Sequence, residues 1–342
     1  MSVSVCIVTY NSMKYLPYFL DSVLAQTYWS ESGQSPDVFV VDNASGDKTV
    51  NTIRESFPTV HLLRNINNIG LARAWNQAIK TTGGDYILIM NPDLILADNF
   101  LSILVKELDT DKNLAAAGGK LYRLDFESEG GFLVSPLKTN ILDSCGLTTF
   151  KNRRFIDRGA GEIDRGQYEA KEEVFGISGA CLLLRRSALE KIKFGDEYFD
   201  ENFFMYQEDI DLAWRLRLAG YSAVYVPLAK GWHHRRARSG QNSHLATINY
   251  RRSKEKLVNF HSYKNHLILL FKNELSANFW RHAPQIICYE LKKFVYVLIF
   301  EVGHFFSSWG FILNNWKNIR QRRGVNMRLK TVRAEEIRQW FK

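Results

Sequence analysis

A cluster of carboxylates in the second half of the chain has the residue types and spacing for acid–base chemistry. Glu208, Asp209 and Asp211 fall within four residues, directly after an aromatic segment. Like charges this close repel one another, but the positive end of a helix dipole stabilises them if a helix begins here. The hydrophobic spacing predicts such a helix over 209–219. We therefore expect Asp209 to point from the helix start into a cleft, where its carboxylate can act as a base.

Two residues that are far apart in the chain are candidates for holding a divalent cation. Asp93 follows a predicted strand, and carboxylate oxygen is a preferred ligand of a metal that a diphosphate carries. Asn91-Pro92-Asp93 is also a common turn sequence. His233 follows the last predicted strand, and imidazole binds Mn²⁺, but a basic surface loop explains the same residues equally well. Three arginines in this loop suit a departing diphosphate or an anionic acceptor: Arg235, Arg236 and Arg238.

The elements that must position these residues alternate between short apolar runs and amphipathic stretches. Strands are predicted over 3–8, 38–42, 60–64, 86–90 and 115–121, and helices over 16–26, 49–56, 70–81 and 99–109. This alternation is typical of βαβ units and a mostly parallel sheet. Ligands of such sheets bind beyond the carboxyl ends of the strands. The polar residues that follow the first, second and fourth strands should therefore share one rim: Thr9, Tyr10, Asn11, Asp42, Asn43, Asn91 and Asp93.

The later part of the chain changes character. Residues 122–173 are rich in Gly, Asp, Glu and Arg, which predicts loops and a hairpin over the site. Strands are predicted over 174–184 and 223–226. Beyond them the pattern becomes purely helical, so we divide the chain into an α/β domain, 1–243, and a helical extension, 244–342.

The charges follow the same division. Up to residue 229 there are 23 Lys and Arg against 30 Asp and Glu, whereas from Lys230 onward there are 22 against 6. A basic block implies an anionic partner. The stretch 294–313 has the length of a membrane span, but Glu301 and His304 interrupt it, which favours an amphipathic helix or hairpin at a membrane surface. The N-terminus has no secretory pattern and the four cysteines show no paired spacing, which predicts a cytoplasmic protein that is peripheral on the inner face of the cytoplasmic membrane.

Several classes of protein are disfavoured by missing motifs. The sequence has no Gly-rich dinucleotide fingerprint, no phosphate-binding P-loop and no Gly-x-Ser-x-Gly elbow. Two alternatives stay open. A nucleotidyltransferase would need a Gly- and Lys-rich loop after the first strand, where this chain has residues 9–14. A non-catalytic protein that binds nucleic acid with its basic, aromatic tail would show strongly salt-dependent binding, but the apolar runs of the tail suit packing or a membrane better.

Taken in order, the strand-end segments resemble those of the family-2 glycosyltransferases. The resemblance covers roughly 3–240 and implies an α/β GT-A fold (the nucleotide-diphospho-sugar transferase fold) with a mostly parallel central sheet, followed here by a basic α-helical extension. The segments that carry the resemblance are Val5–Asn11, Val40–Asp47, Asn65–Asn76, Leu88–Asp93, Ser178–Ala180, Glu208–Leu212 and His233.

The resemblance implies a role for each matching residue. Asp209 resembles the catalytic base, with Glu208 beside it, and Asp93 resembles the second acid of the family's Asp-x-Asp metal motif, in which Asn91 replaces the first. His233 resembles the family's closing histidine and is taken as the second metal ligand. The residues implied in nucleotide-sugar binding are Thr9, Tyr10, Asn11, Asp42, Asn43, Gly70, Arg73 and Asn91. Those implied on the acceptor side are Ser178, Gly179 and Asp211.

Within the family, an α/β part followed by a basic helical tail most resembles the bacterial rhamnosyltransferase-like enzymes of cell-surface polysaccharide assembly. This implies a dTDP- or UDP-sugar donor, best dTDP-L-rhamnose, a lipid-linked acceptor, and a requirement for Mg²⁺ or Mn²⁺. It also implies a single displacement that inverts the anomeric configuration. The Gln-x-x-Arg-Trp signature of the processive synthases is missing, so transfer of a single sugar is expected. An anionic membrane surface is an expected partner, whereas nucleic acid is not.

Overall fold

The front part of the chain forms the parallel half of a large sheet. The structure, a computed structural model, describes three stretches of the chain: 1–129, 132–235 and 256–342. Strand β1 (Val3–Thr9) is buried throughout and pairs in parallel with β2 (Val38–Asp42) and β4 (Tyr86–Met90), while β3 (His61–Arg64) pairs in parallel with β2. Strands that are apolar on both faces need a covering layer on both sides. The helices of this part are α1 (Leu16–Leu24), α2 (Thr27–Ser32), α3 (Thr49–Ser56), α4 (Leu71–Thr81) and α5 (Phe100–Thr110).

The other half of the sheet is mixed. Its strands are β5 (Leu94–Leu96), β6 (Leu114–Glu129), β7 (Phe132–Ser144), β10 (Glu172–Val174), β11 (Cys181–Arg185) and β12 (Ser222–His233). The order of the main path is β10-β12-β6-β11-β4-β1-β2-β3, with β11 antiparallel to both neighbours and β12 parallel to β6. The predicted parallel core is thus confirmed, and the hairpin expected within 122–173 is formed by β6 and β7. A two-stranded sheet of β8 (Leu147–Thr149) and β9 (Phe155–Asp157) follows them.

The prediction of a single strand over 174–184 is wrong. The chain leaves the sheet after β10 and returns only at β11. In between, the carbonyl of Gly176 accepts a hydrogen bond from the backbone of Leu147, and the N–H of Gly179 donates one to Asp209. The apolar run therefore forms two short strands and a loop, because the backbone of the glycines in its middle makes contacts outside the sheet.

The helices of the extension follow α6 (Arg186–Ile192) and α7 (Glu208–Leu218), and they share a buried cluster with α7. These helices are α8 (Lys256–Asn273), α9 (Ser276–Arg281), α10 (Ala283–Phe300), α11 (Val302–Asn314), α12 (Trp316–Leu329) and α13 (Ala334–Arg338). Trp214 of α7 belongs to the same buried cluster as Ile268 of α8 and Ile319 of α12. Lys272 pairs with Asp211 at 2.8 Å in the same interior. The extension thus shares a core with the α/β part, while the predicted boundary at 243/244 lies outside the described residues.

The apolar stretch over 294–313 is divided between two helices. Helix α10 ends at Phe300, Glu301 adopts a non-helical φ of −137°, and α11 begins at Val302. Neither helix, nor any other in the described residues, combines the length and the apolar character that crossing a membrane requires.

Candidate active site

A cleft opens at the edge where strands β1, β2 and β4 end. The parallel register places Thr9 opposite Asp42 and Ile7 opposite Met90, so the residues that follow these strands meet at one rim, as expected. The cleft has a volume of about 270 Å³. Its polar and aromatic lining includes Tyr10, Asn43, Asn68, Gly70, Asn91, Asp93 and Phe204. Five of the residues that were predicted from the sequence therefore face one common space.

Three other predicted residues support this rim from behind. Asp42 is fully buried and accepts hydrogen bonds from the hydroxyl of Thr9 at 3.1 Å and from the backbone N–H of Ser45 at 2.9 Å. Asn11, at φ +51°, accepts a hydrogen bond of 2.8 Å from the N–H of Gly46. These bonds join the loop after β1 to the loop after β2, while the exposed ring of Tyr10 lines the cleft.

Asn43 joins the second strand to the loop before α4. Its Nδ2 donates to Oδ1 of Asn68 at 2.8 Å, and its Oδ1 accepts from the N–H of Ile69 at 3.1 Å. Gly70 ends this loop with φ +87°, and a Cβ there would lie 2.5 Å from the ring of Phe204. Only glycine meets both demands, the left-handed backbone and the close approach.

His233 lies between two carboxylates. Its Nδ1 is 2.8 Å from Oδ2 of the fully buried Asp143, and its Nε2 is 3.2 Å from Oδ1 of Asp93. Burial opposes protonation of the imidazole, but Asp93 and Asp143 outweigh it and raise the pKa of His233 to about 10. The pKa of Asp143 is lowered, because His233 and Arg235 outweigh the effect of burial. The sequence indicated Asp93 and His233 as separate candidates for metal binding, and the structure places them side by side.

These residues fit a divalent cation that displaces the proton on Nε2 of His233, because histidine binds a metal in its neutral form. Oδ1 of Asp93 is buried and, within the described part of the chain, makes no aligned hydrogen bond. Asp143 fixes the imidazole ring of His233 so that Nε2 faces that oxygen, as the carboxylate partner of a metal-bound histidine does. No three His, Cys, Asp or Glu side chains of the described residues form a metal-binding group. Two protein ligands are nevertheless sufficient for a cation that keeps its remaining bonds for waters and substrate phosphates.

A chain of ion pairs continues from this histidine toward Asp209. Arg235 contacts Asp143 at 3.1 Å and Asp157 at 2.8 Å. The charge of Asp157 in turn acts on Asp209. Sequence reasoning missed Asp143 and Asp157, because they lie in the region of weak periodicity and nothing in their spacing distinguishes them from surface acids. Arg236 and Arg238 lie outside the described residues.

Asp209 is held at the start of α7 by two backbone donors. The N–H of Gly179 donates to Oδ2 at 2.8 Å, and the N–H of Ile210 donates to Oδ1 at 2.8 Å. Burial raises the pKa of Asp209; the bond from Gly179 opposes this effect, and the charge of Asp157 adds to it. A carboxylate whose pKa is raised toward the working pH is a better proton acceptor. Its half-buried position allows access from outside.

Glu208 is buried beside it. Burial, together with the charge of Asp209, raises the pKa of Glu208 to about 8. Its Oε2 has no hydrogen-bond partner among the described residues. Glu208 therefore holds a proton more readily than an exposed glutamate does.

The turn that leads into these acids has an unusual backbone. Phe204, Tyr206 and Gln207 have φ values of +62°, +69° and +68°. Such conformations cost non-glycine residues on the order of 1–3 kcal/mol each and persist where the surroundings determine them. The carbonyl of Phe204 accepts hydrogen bonds from the N–H groups of Leu71 and Ala72, at the start of α4. This contact joins the turn to the cleft.

Three predicted site residues lie elsewhere. Arg73 is exposed and pairs with Glu201 at 3.5 Å, away from the cleft lining. Asp211 is fully buried, and its oxygens contact Arg215 and Lys272, so it stabilises the core and does not face an acceptor. Ser178 is buried in the loop between β10 and β11. We leave Arg73 and Asp211 out of the site considered below.

Comparison with known proteins shows the family to which the chain belongs. Residues 4–193 match the family described as Glycosyl transferase family 2, and residues 150–297 match Glycosyl transferase family group 2. An N-acetylglucosaminyl-diphospho-decaprenol L-rhamnosyltransferase of Mycobacterium tuberculosis is 32% identical over 257 residues, 70% of this chain and 78% of that protein. A poly-beta-1,6-N-acetyl-D-glucosamine synthase of Staphylococcus aureus is 28% identical over 228 residues, which are 65% of this chain but only 47% of the synthase.

Solved structures share the fold at low sequence identity. A crystal structure of GalNAc-T7 with UDP, GalNAc and Mn²⁺ superposes with a TM-score of 0.57 at 14% identity, covering 80% of this chain and 48% of that one. S. aureus TarS 1-349 in complex with UDP-GlcNAc superposes with a TM-score of 0.52 at 16% identity, covering 100% and 93%. The fold and the cleft define a glycosyltransferase that takes its sugar from a nucleotide-sugar donor. The chain belongs to glycosyl transferase family 2 and is rhamnosyltransferase-like, which decides against the nucleotidyltransferase and the non-catalytic alternatives.

Proposed function

We propose that this enzyme transfers a single sugar, with inversion, from a dTDP- or UDP-sugar to a lipid-linked saccharide acceptor in cell-surface polysaccharide synthesis. L-Rhamnose from dTDP-L-rhamnose is the preferred donor sugar, since the relative that shows the family at 32% identity is an L-rhamnosyltransferase that acts on an N-acetylglucosaminyl-diphospho-lipid. The observation that carries the proposal is that the segment between β10 and β11 contacts both Asp209 and Asn91. The N–H of Gly179 in this segment donates to Asp209. The carbonyl of Ala180, in the same segment, accepts a hydrogen bond of 2.9 Å from the N–H of Asn91, beside the proposed metal ligand Asp93.

The residues of the cleft divide the work with His233 and Asp209. The nucleotide binds along the rim, where Tyr10 offers an exposed ring and Asn43 shapes the loop before α4. Asp93 and His233 would hold Mg²⁺ or Mn²⁺, which neutralises charge on the departing nucleoside diphosphate when it is bound. Asp209 accepts the proton of the acceptor hydroxyl as that oxygen attacks the anomeric carbon from the face opposite the diphosphate. One displacement inverts the configuration without a covalent sugar–enzyme intermediate.

The helical extension would bind the membrane that holds the lipid-linked acceptor. Helices α10 and α11 expose a set of apolar side chains, called here the apolar face: Ile287, Leu291, Leu298, Ile299, Phe300, Val302 and Phe306. Basic side chains of the same extension are exposed as well: Lys292, Lys317, Arg320 and Arg328. Apolar insertion together with cation attraction is how interfacial helices bind anionic membranes, and each Lys or Arg near the surface contributes on the order of 1 kcal/mol. This face would bring the site to a lipid-linked acceptor at the inner surface of the cytoplasmic membrane.

A donor screen tests the proposal. The full chain is heated with dTDP, UDP and their sugar conjugates, with and without Mn²⁺ or Mg²⁺, and the melting temperature is recorded. A ligand that binds only the folded protein raises that temperature by mass action. A metal-dependent rise with dTDP-L-rhamnose, followed by transfer to an N-acetylglucosaminyl-diphospho-lipid, supports the proposal. A folded protein that responds to none of these ligands contradicts it.

A further inference from the structure

Helix α8 contacts the turn before Glu208 through one fully buried asparagine. Nδ2 of Asn265 donates to the carbonyl oxygens of Phe203 at 2.9 Å, Met205 at 2.8 Å and Tyr206 at 2.8 Å. Three acceptors that converge on one amide group determine its orientation, because a carbonyl cannot accept a hydrogen bond from Oδ1. One side chain of the extension thus binds three of the four carbonyls from Phe203 to Tyr206.

This turn needs such support. Met205 donates from its N–H to the carbonyl of Phe203 at 2.7 Å, which closes a γ-turn of the rare positive-φ kind around Phe204. Tyr206 and Gln207 follow with positive φ. The ring of His261, also on α8, stacks on the ring of Phe204 with centroids 4.9 Å apart and planes 9° apart. Left-handed backbone at three non-glycine residues persists only where neighbouring groups hold it.

We propose that Asn265 is a positioning residue for the catalytic base. By binding the carbonyls of the turn, it holds the start of α7 so that the carboxylate of Asp209 meets the N–H of Gly179. The inference rests on the proposed function, because the importance of this geometry depends on the role of Asp209. Through Asn265 the helical extension affects catalysis as well as binding to the membrane. Nothing in the sequence around Asn265 indicates this role.

The chain offers a matched control for testing it. Asn278 is equally buried, and its Nδ2 donates to a single carbonyl, that of Ala334 at 2.9 Å, within the extension. Asn265→Ala and Asn278→Ala therefore remove the same group from the same part of the protein. In a transfer assay with the full chain, we expect Asn265→Ala to lower kcat at least tenfold while the donor KM changes less than threefold. Asn278→Ala should lower stability without this loss of kcat.

Hydrogen–deuterium exchange provides a readout that needs no transfer. The amides of 203–209 should exchange faster in Asn265→Ala than in Asn278→Ala. If Asn265→Ala does not fold, Asn265→Leu serves in its place, since it keeps the side-chain shape and loses the donor without burying a charge. Unchanged exchange over 203–209, or an equal loss of kcat in both variants, overturns the inference. If the wild-type enzyme transfers no sugar while exchange rises as expected, the proposed function fails and the contact made by Asn265 stands.

Discussion

The backbone N–H of Gly179 donates a hydrogen bond of 2.8 Å to Oδ2 of Asp209. The two residues are 30 positions apart, and a Cβ on Gly179 would lie 3.0 Å from Cβ of Asp209 and 3.2 Å from its Oδ2. The absence of a side chain at 179 therefore permits the approach that orients the carboxylate.

Gly179→Ala should reduce transfer at least tenfold while the protein stays folded. The new methyl group would displace the Asp209 carboxylate, and a small misplacement of a catalytic group has a large effect on rate. The measurement is kcat together with the melting temperature. Gly83→Ala is the control, because a Cβ at Gly83 meets nothing within 4 Å. Equal kcat in the two variants would contradict the role of this contact.

Asp209→Asn should lower kcat by about 10²–10⁴-fold, the usual contribution of a positioned base. The amide oxygen can still accept from Gly179, so the local structure should remain and donor binding, measured by calorimetry, should stay within a few-fold of wild type. Asp98→Asn, at an exposed position, serves as the control for removing one carboxylate. Normal turnover by Asp209→Asn would rule out its assignment as the base.

Asp143→Asn should weaken Mn²⁺ binding by about 10–100-fold, the usual effect of losing the partner of a metal-bound histidine. The affinity is measured by titrating the metal into the full chain in the presence of nucleoside diphosphate. Asp164→Asn is the matched control, since Asp164 is a largely buried acid that pairs with Lys120 at 3.0 Å and does not contact His233. An equal loss of Mn²⁺ affinity in both variants would show a general loss of structure instead.

Glu208 should make stability fall as the pH rises. Its pKa of about 8 in the folded state lies above the ordinary value of 4.5, so between these values the folded protein binds a proton that the unfolded chain has lost. Stability therefore decreases with rising pH across this window. Glu208→Gln should remove this contribution, so its melting temperature relative to wild type should increase from pH 5 to pH 8. A difference that does not change with pH would refute the assigned pKa.

The double variant Ile299→Glu, Phe306→Glu should reduce sedimentation with anionic vesicles. Both side chains are exposed, at 61% and 66%, so charging them should leave the fold intact while opposing insertion into lipid. Leu228→Glu, at a position 69% exposed on β12, controls for adding charge elsewhere. High salt should release wild type only in part. Unchanged sedimentation of the double variant would argue against the apolar face as the membrane contact.

The amino-acid sequence was sufficient to predict the α/β class, the positions of the first strands along the chain and the rim on which their polar ends meet. It could do so because a buried parallel strand is a continuous apolar run, and because parallel strands place their carboxyl ends at one edge. The ordered segments from Val5–Asn11 to Glu208–Leu212 were enough to indicate the family. The helix predicted from Asp209 begins one residue earlier, at Glu208, and it could be predicted because acids favour the first turn of a helix.

Which of these residues lie together became clear from the folded structure alone. Asp211 has the same residue type as Asp209 and lies two positions away, yet one is buried against Lys272 and the other meets Gly179. Asp143 and Asn265 have no motif around them and acquire their roles from partners 90 and about 60 residues distant. Local spacing determines the periodicity and the ends of helices and strands. The environment of a carboxylate or an amide depends on long-range packing, which a short segment does not encode.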